Sequence, residues 1–247
     1  MSDPACVLVL GANGAVGRLV VEQVLASGAR VLALVRDGSV LPVELCERDK
    51  LEILRGSILE MSDAQLAALL ARCTAVVSCL GHNLSMRGIF GPPRRLVHDS
   101  LRRLCNTLES ASLAEPLRLV LLSTVGYQNH VAGECVSRRE AVLLWLLRHL
   151  VPPHADNEAA ANYLRDEIGT QHPSIQWVAV RPDALLDGQP EVGVAAFPAP
   201  VRSALLDPGR THRANVARFI AGLLDSEANW EEWRGRMPAI YDLDAVP

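Results

Sequence analysis

The sequence predicts an α/β fold built on a doubly wound parallel sheet, and three observations support this prediction. Short apolar runs rich in β-branched residues alternate with amphipathic helical patterns along most of the chain. The first run ends in a glycine-rich turn that leads into a helix, which is the order of a βαβ unit. At 247 residues the chain is long enough for one large domain. We therefore expect residues 1–247 to form a single domain with helices on both faces of the sheet.

The individual elements are predicted in chain order from these patterns. The first βαβ unit has a strand at residues 7–10, a helix at residues 16–27 that Gly28 terminates, and a second strand at residues 30–35. Four further parallel strands and a last short strand are predicted at residues 51–55, 74–79, 117–122, 175–180 and 239–243. The other helices are predicted at residues 62–72, 94–114, 155–169 and 213–226.

Three helical segments carry signals about their ends or their packing. Ser62, with Gln65 three residues later, has the pattern of a capping box. Asp156 lies at the start of the helix predicted from residue 155, where its carboxylate can cap that helix. Residues 141–147 read AVLLWLL. This apolar circumference predicts a helix packed in the core, and a subunit contact or a lipid contact are the alternatives.

Residues 11–17 read GANGAVG and are the most informative stretch of the chain. Gly11, Gly14 and Gly17 recur at three-residue spacing between an apolar strand and a helix start. Small residues let the backbone approach a pyrophosphate, whose charge is stabilised by unpaired N–H groups and by the helix dipole. The spacing differs from the familiar G-x-G-x-x-G pattern, and a turn that only packs the helix on the sheet is the alternative. The flanking strand and helix favour dinucleotide binding.

The end of the second strand distinguishes between the two nicotinamide dinucleotides. An acidic residue at this place accepts hydrogen bonds from the ribose of NAD, whereas an arginine pairs with the 2′-phosphate of NADP. This chain has Arg36 followed by Asp37. A guanidinium donates two parallel hydrogen bonds to a phosphate, so we expect NADP(H) to be favoured over NAD(H). A solvated Arg36 with Asp37 on the ribose is the alternative.

Composition and charge argue against several functions. The net charge of −4 gives no general attraction to nucleic acid or to an anionic membrane, and no apolar run is long enough to span a bilayer. The first residues lack the pattern of a secretory signal, so we expect a cytoplasmic protein. The six cysteines include no C-x-x-C pair, so no metal site is predicted. Lys50 is the sole lysine and lies far from the predicted site, which argues against a lysine-dependent mechanism.

A family resemblance rests on five strings, which are GANGAVG, VLALVRD, AVVSCLG, LVLLSTVG and VAVRPDALLDG. Together they resemble the short-chain dehydrogenase/reductase superfamily, in its atypical NAD(P)H-binding branch. This branch includes flavin reductase/biliverdin-IXβ reductase and cofactor-binding regulators related to nitrogen-metabolite repression proteins. The segment VRDGSVLPVE is especially similar to flavin reductase/biliverdin-IXβ reductase. The resemblance implies a Rossmann fold.

The resemblance also implies which positions contact the dinucleotide. The glycine turn would hold the pyrophosphate through Gly11, Asn13, Gly14, Ala15, Val16 and Gly17. Arg36 would bind the 2′-phosphate, and Ser57 and Ile58 would flank the adenine, although the family commonly has Asp at position 57. The remaining positions would lie along the ribose and the nicotinamide; they are Leu80, Gly81, Ser123 and Thr124. Pro182 is added because it follows the sixth predicted strand, at the same edge of the sheet.

The catalytic pair of the superfamily is absent from this chain. That pair is a tyrosine with a lysine four residues later, and no tyrosine here has a lysine at that spacing. Members of the branch often have lysine or histidine where this chain has Asn157, which makes Asn157 a candidate catalytic residue. Other candidate proton donors are the side chains of Ser123, Tyr127, His82, His130 and His154.

The sequence therefore predicts an NADPH-dependent reductase that transfers a hydride to a small conjugated or flavin-like substrate, because such acceptors can take their proton from water. Residues 182–212 are rich in proline and loops and are predicted to form a substrate cap. A non-catalytic NADP(H) sensor that binds protein partners is the first alternative. A sugar-nucleotide or natural-product isomerase is the second. The protein is expected to be a monomer or a homodimer.

Overall fold

The computed structural model describes residues 5–82, 91–111, 113 and 115–246. The strands are β1 (Cys6–Leu10), β2 (Arg30–Val35), β3 (Leu51–Arg55), β4 (Ala75–Ser78), β5 (Leu117–Leu122), β6 (Ile175–Pro182), β7 (Ala184–Leu186), β8 (Val194–Phe197), β9 (Arg210–His212) and β10 (Ala239–Asp242). The helices are α1 (Gly17–Ala26), α2 (Val43–Cys46), α3 (Asp63–Leu70), α4 (Leu96–Ser110), α5 (Arg138–Leu150), α6 (Pro152–Tyr163), α7 (Arg213–Asp225) and α8 (Glu227–Trp233). A π-helical turn at Leu164–Ile168 extends α6.

The central sheet has the strand order β3-β2-β1-β4-β5-β6-β10-β8. Its neighbouring strands pair in parallel, except that β8 pairs antiparallel with β10 at the edge. Every residue of β1 is buried, because both faces of the sheet are covered. Leu8 and Leu10 pack on the side of α3, α4 and α6, whereas Val7 and Val9 pack on the side of α1 and α7. The predicted doubly wound α/β architecture is confirmed.

The start of the helix predicted at residues 62–72 is confirmed, and its capping residues explain it. The Ser62 side chain accepts a hydrogen bond from the Gln65 backbone N–H at 3.2 Å. The Gln65 Oε1 atom accepts one from the Ser62 N–H at 2.9 Å. Both halves of the predicted capping box are present, so the side chains of Ser62 and Gln65 define the start of α3.

The helix predicted from residue 155 begins earlier, and Asp156 does not cap it. Proline is tolerated in the first turn of a helix, so α6 starts at Pro152 and Asp156 lies one turn inside it. The Asp156 carboxylate accepts hydrogen bonds from the backbone N–H groups of Val97 at 2.8 Å and His98 at 3.0 Å. The residue therefore caps a different helix, α4, from across the interface between α4 and α6.

The prediction that residues 141–147 pack in the core is wrong. Only Glu140 and Leu144 of α5 are buried, while Val142, Trp145 and Leu150 are 60%, 55% and 64% exposed. An all-round apolar pattern carries no period that would show which side faces the protein. The subunit contact that the same pattern allows stays a prediction. None of the described helices is both long and apolar enough to cross a bilayer.

The segment of residues 182–212 contains more regular structure than the predicted loop. Its β7 and β9 form a separate parallel pair, and β8 joins the central sheet beside β10. The helix α8 was not predicted, although its Trp230 and Trp233 are buried against the α1–α7 side of the sheet.

Lys50 lies at the amino edge of β2 and β3, where it donates a hydrogen bond to the Gly28 carbonyl at 2.7 Å.

A buried ion pair ties β6 to the loop before α5. The Arg181 side chain is fully buried and donates to both Glu134 carboxylate oxygens, at 2.7 and 2.8 Å. It also donates to the carbonyl oxygens of Met237 at 2.7 Å and Tyr127 at 3.2 Å. This pairing is what allows a buried guanidinium to be tolerated.

We expect Glu134→Gln to lower the free energy of unfolding by about 3–5 kcal/mol, because it leaves the Arg181 charge buried without a counter-charge. Denaturant unfolding measures this. The control is Glu231→Gln, which breaks an exposed pair with Arg234 and should cost at most about 1 kcal/mol. Equal costs for the two variants would show that the buried pair has no special role.

Candidate functional site

The turn between β1 and α1 is closed so tightly that only glycine fits at its two ends. Gly11 has φ +71°, and a β-carbon there would lie 2.6 Å from the Cys79 carbonyl oxygen. A β-carbon on Gly17 would lie 2.2 Å from the Gly11 carbonyl oxygen. The Gly14 N–H donates to this same oxygen at 2.9 Å. The turn therefore presents backbone rather than side chains to the space above it.

The first turn of α1 is open to an anion. Its N-cap residue, Val16, makes no capping hydrogen bond through its side chain, and no acidic residue occurs in the first turn of this described helix. The N–H groups at the start of a helix have no partner within it and carry partial positive charge. Together with the glycine turn, they form a pocket suited to a diphosphate.

A cleft lies at the carboxyl edge of the sheet, at the carboxyl ends of β1 to β4. Its lining includes eight of the predicted cofactor positions, which are Gly11, Asn13, Gly14, Arg36, Ser57, Ile58, Leu80 and Gly81. Four neighbouring strand ends supply them, as expected for a parallel sheet. Arg36 is exposed at the end of β2, and Ile58 is buried behind the segment that follows β3. The cleft runs from the glycine turn towards these two residues.

The other predicted cofactor positions lie beside this lining. Ala15 is exposed in the turn, while Val16 is buried at the start of α1. Ser123, Thr124 and Pro182 lie at the carboxyl ends of the next two strands. The Ser123 N–H donates to the Val180 carbonyl at 2.8 Å, which joins the ends of β5 and β6. These residues continue the same edge of the sheet away from Arg36.

Ser100 is a cleft residue that sequence reasoning missed. It lies on α4, lines the cleft and is fully buried, yet its hydroxyl has no hydrogen-bond partner among the described residues. The signal that could have found it is its place on the buried stripe of α4, three residues after Val97 and four before Leu104. A serine on such a stripe needs a partner from elsewhere.

Ser123, at the carboxyl end of β5, also has a buried hydroxyl without a hydrogen-bond partner among the described residues. Its neighbour Thr124 uses its own hydroxyl to accept a hydrogen bond from the Gly126 N–H at 3.2 Å, which closes the turn after β5. The Ser123 hydroxyl is thus available to a ligand at this turn, whereas that of Thr124 is engaged.

Tyr127 is not placed to donate a proton to a substrate. Its phenol is buried, donates to Asn162 Oδ1 at 3.0 Å and accepts from Arg165 at 2.7 Å. Burial raises the pKa of Tyr127, although the charge of Arg165 opposes this. The hydroxyl is committed to a network that joins the turn after β5 to α6, so we do not retain Tyr127 as a catalytic candidate.

Asp156, the residue before Asn157, links α6 to the start of α4 and to His82. Asn157 is half-buried on α6 and makes no side-chain hydrogen bond with other described residues. The adjacent Asp156 carboxylate, which caps α4, also lies 2.7 Å from His82 Nε2. Both side chains of this pair are buried. Because His82 directly follows Gly81, a cleft residue, Asp156 holds residues 81–82 at one end of the cleft.

His154 on the first turn of α6 faces the turn after β5. A β-carbon on Gly126 would lie 3.4 Å from His154 Cε1 and 3.9 Å from its Nδ1. On its other side, His154 Nε2 lies 3.5 Å from Glu158 Oε1, and both side chains are nearly buried. Arg148 Nη2 donates to the same oxygen at 2.9 Å. Burial opposes ionisation of Glu158, but its interactions with His154 and Arg148 outweigh this and lower its pKa to about 2.

The thiol that lines the cleft is not activated. Burial raises the pKa of the Cys79 thiol, which lines the cleft, to about 12, so this group stays neutral. Within the described ranges, no group of three or more histidine, cysteine, aspartate or glutamate residues is arranged to hold a metal ion.

Comparison with known families agrees with this geometry. The sequence profile of a family described as NAD(P)H-binding matches residues 11–227. The match begins at the first glycine of the turn and covers most of the chain. The chain belongs to this NAD(P)H-binding family. No protein with a curated description matches the chain in sequence.

Solved structures share the fold at low sequence identity. One is a proposed NAD-dependent epimerase/dehydratase from Bacillus halodurans, with a TM-score of 0.70 and 21% identity over 98% of this chain and 96% of that one. A short-chain dehydrogenase/reductase from Veillonella parvula in complex with NADP has a TM-score of 0.68 and 13% identity over 98% and 97%. ChuY, an anaerobillin reductase from Escherichia coli O157:H7, has a TM-score of 0.67 and 18% identity over 98% and 100%. The predicted membership of an NAD(P)H-binding family is confirmed by the family match, and these structures share the fold of this chain.

We expect Gly17→Ala to abolish measurable dinucleotide binding and to lower the melting temperature, because its β-carbon meets the Gly11 carbonyl and the backbone must move. Calorimetric titration with NADPH and thermal unfolding test this. The control is Gly222→Ala in α7, where a β-carbon has no neighbour closer than 3.9 Å. It should bind normally and be as stable as wild type or slightly more stable. Unchanged binding by Gly17→Ala would contradict the tight turn.

The lowered pKa of Glu158 predicts how its contribution depends on pH. In the unfolded chain the carboxyl titrates near 4.5, and in the folded protein near 2. Its stabilising contribution is therefore complete above about pH 4.5 and is lost as pH falls towards 2. Wild type should exceed Glu158→Gln in unfolding free energy at pH 7, and the difference should shrink at pH 3. Urea unfolding at both pH values measures it, and a difference that grew on acidification would refute the assignment.

Proposed function

We propose that the protein is an NADPH-dependent oxidoreductase that reduces a small conjugated or flavin-like substrate by hydride transfer. One observation carries the proposal. Within the described part of the chain, three buried side-chain polar atoms have no hydrogen-bond partner, and they are Ser100 Oγ, Ser123 Oγ and His154 Nε2. Ser100 lines the cleft, and the other two flank the turn after β5. Buried polar atoms without partners are costly, and a ligand along this edge would satisfy the two serine hydroxyls, whereas His154 Nε2 faces Glu158.

The residues present fit a dinucleotide. The glycine turn leaves a cradle that any β-carbon at Gly11 or Gly17 would fill, and the start of α1 favours a diphosphate. The lining of the cleft includes Arg36 at the end of β2, whereas Asp37 is not among its described lining residues. This difference supports the guanidinium, rather than the carboxylate, as the group at the ribose, and so supports NADP(H). Ser57 and Ile58 would contact the adenine.

When bound, the dinucleotide would supply the hydride, and this chain's residues would bind, orient and protonate the substrate. Ser123 and Thr124 would lie beside the nicotinamide, with the Ser123 hydroxyl as a hydrogen-bond donor to the acceptor. Asn157 lies one turn further along α6 than His154 and is kept as a substrate-facing candidate. The missing tyrosine–lysine pair favours a conjugated acceptor, whose charge is delocalised as it is reduced.

The substrate would lie against the cap segment. A groove of about 670 Å³ separates residues 199–207 of this segment from the loop and helix start at residues 133–140. Val125, which follows the Ser123–Thr124 pair, lines the groove. We therefore propose that residues 182–212 cap the substrate as part of one domain spanning residues 1–247.

Arg36→Ala tests the choice of dinucleotide. Loss of charged hydrogen bonds worth about 1.5–3 kcal/mol should weaken NADPH by roughly tenfold to a hundredfold and leave NADH nearly unchanged. Fluorescence titration of both dinucleotides measures the two affinities. Arg30→Ala, at the opposite end of the same strand, is the matched control and should affect neither. Equal losses for NADPH and NADH would remove the argument for a 2′-phosphate contact.

Turnover tests the reaction itself. NADPH oxidation followed at its absorbance band should occur with at least one class of acceptor in a panel of flavins, quinones, enones and linear tetrapyrroles. Tight NADPH binding without oxidation by any of these acceptors would instead support an NADP(H) sensor. The exposed apolar face of α5, with Trp145 55% exposed, favours that second candidate because a sensor needs a surface for a protein partner.

A further inference from the structure

We infer that His154 is the group that donates a proton to the acceptor, and that Glu158 positions it. This inference rests on the proposed function, since it assigns a residue to the same reaction. It takes the place of the tyrosine–lysine pair that the chain lacks. The observations behind it are the position of the imidazole beside the turn after β5 and its neighbours on α5 and α6.

The imidazole lies between the carboxyl edge of the sheet and a carboxylate. Its Cε1 and Nδ1 edge packs against Gly126, in the turn that begins at Ser123. A β-carbon built at position 126 would lie 3.4 Å from Cε1 and 3.6 Å from Thr124 Oγ1, which are ordinary van der Waals distances, so the ring packs directly beside this turn. The ring therefore borders the turn that holds the unpaired Ser123 hydroxyl.

The opposite edge of the ring faces Glu158, one helical turn along α6. The Nε2–Oε1 distance of 3.5 Å is within ion-pair reach but is long for a hydrogen bond. Arg148 of α5 holds the carboxylate through its Nε and Nη2 atoms. With Nε2 directed at this fixed anion, Nδ1 is the nitrogen on the side of Gly126. The arrangement orients the ring as the third group of a catalytic triad orients its base.

Few charged or titratable groups surround His154 and Glu158. Glu158 comes from α6 and Arg148 from α5. The loop before α5 brings His130, Glu134 and Cys135 to the groove that Arg148 and Glu158 also line. Glu134 is committed to Arg181, and His130 is exposed, with its Nδ1 3.4 Å from the Glu134 carbonyl. The described neighbours therefore leave Glu158 as the carboxylate that faces the His154 ring.

The proton balance of the step is simple. The acceptor gains a hydride, which brings two electrons, and it gains one proton from His154 Nδ1 at the heteroatom where negative charge develops. The N–H bond of the imidazolium breaks and an O–H or N–H bond of the product forms. After the product leaves, the neutral imidazole regains a proton at Nδ1 from water. No further oxidant or reductant is needed.

His154→Gln tests the role, with His172→Gln as a closely matched control. His172 also has a carboxylate at 3.4 Å, from Glu109, and its side chain is 14% exposed against 12% for His154. It lies before β6, at the amino edge of the sheet. We expect His154→Gln to lower kcat roughly 100-fold with an unchanged Kd for NADPH, and His172→Gln to alter neither.

The pH profile separates proton donation from a structural role. Wild-type kcat should fall with rising pH as the donor loses its proton, and this pH-dependent fall should be absent in His154→Gln. Glu158→Gln keeps the imidazole but removes the facing negative charge, so in this variant kcat should begin to fall at a lower pH. Loss of activity in both variants with the wild-type profile retained would mean that the two residues act only in folding, and would overturn the inference.

Nuclear magnetic resonance gives a readout that needs no turnover. The imidazole Cε1 signal that disappears in His154→Gln should shift when NADP⁺ is added to wild type, while the one lost in His172→Gln should stay in place. An unmoved His154 signal in protein saturated with NADP⁺ would overturn the inference. If wild type binds NADPH but reduces no acceptor, the proposed function fails and the inference with it. If wild type turns over and His154→Gln matches it, only the inference fails.

Discussion

The contact between Gly17 and the Gly11 carbonyl is the constraint on which the site depends. It brings the start of α1 against the end of β1, so the unpaired N–H groups of the helix point over the carboxyl edge of the sheet. Gly11 itself passes close to Cys79, at the point where the pairing of β1 with β4 ends. A crevice between the strand ends is where ligands bind in open α/β sheets. The rest of the cleft follows from strand order.

Two buried carboxylates join elements that are distant in sequence, which the glycine turn does not do. Asp156 gathers the start of α4, the segment after β4 and α6 around one anion, using backbone N–H groups and His82. Glu134 compensates Arg181 and so fixes the loop before α5 on β6. Both ties end on elements that border the site. Stability and the shape of the site are therefore maintained by the same charged groups.

The sequence predicted the features whose causes are local or follow from topology. Strand periodicity, the capping box at Ser62 and the glycine turn are local, and parallel strand order alone brings Arg36, Ser57 and Leu80 together. Asp156 was recognised as a cap but assigned to the wrong helix, because its partners are nearly sixty residues away. Ser100 and the exposure of α5 were missed for the same reason. What covers a helix face is decided by elements distant in sequence.

The single lysine has a practical consequence. Lys50 is anchored to the Gly28 carbonyl at the amino edge of the sheet, while the cleft opens at the carboxyl edge. Amine-directed chemistry on this chain would meet one side chain, held on the far side from the dinucleotide pocket, together with the α-amino group. A dye or a solid support attached to Lys50 would leave the pocket facing solvent.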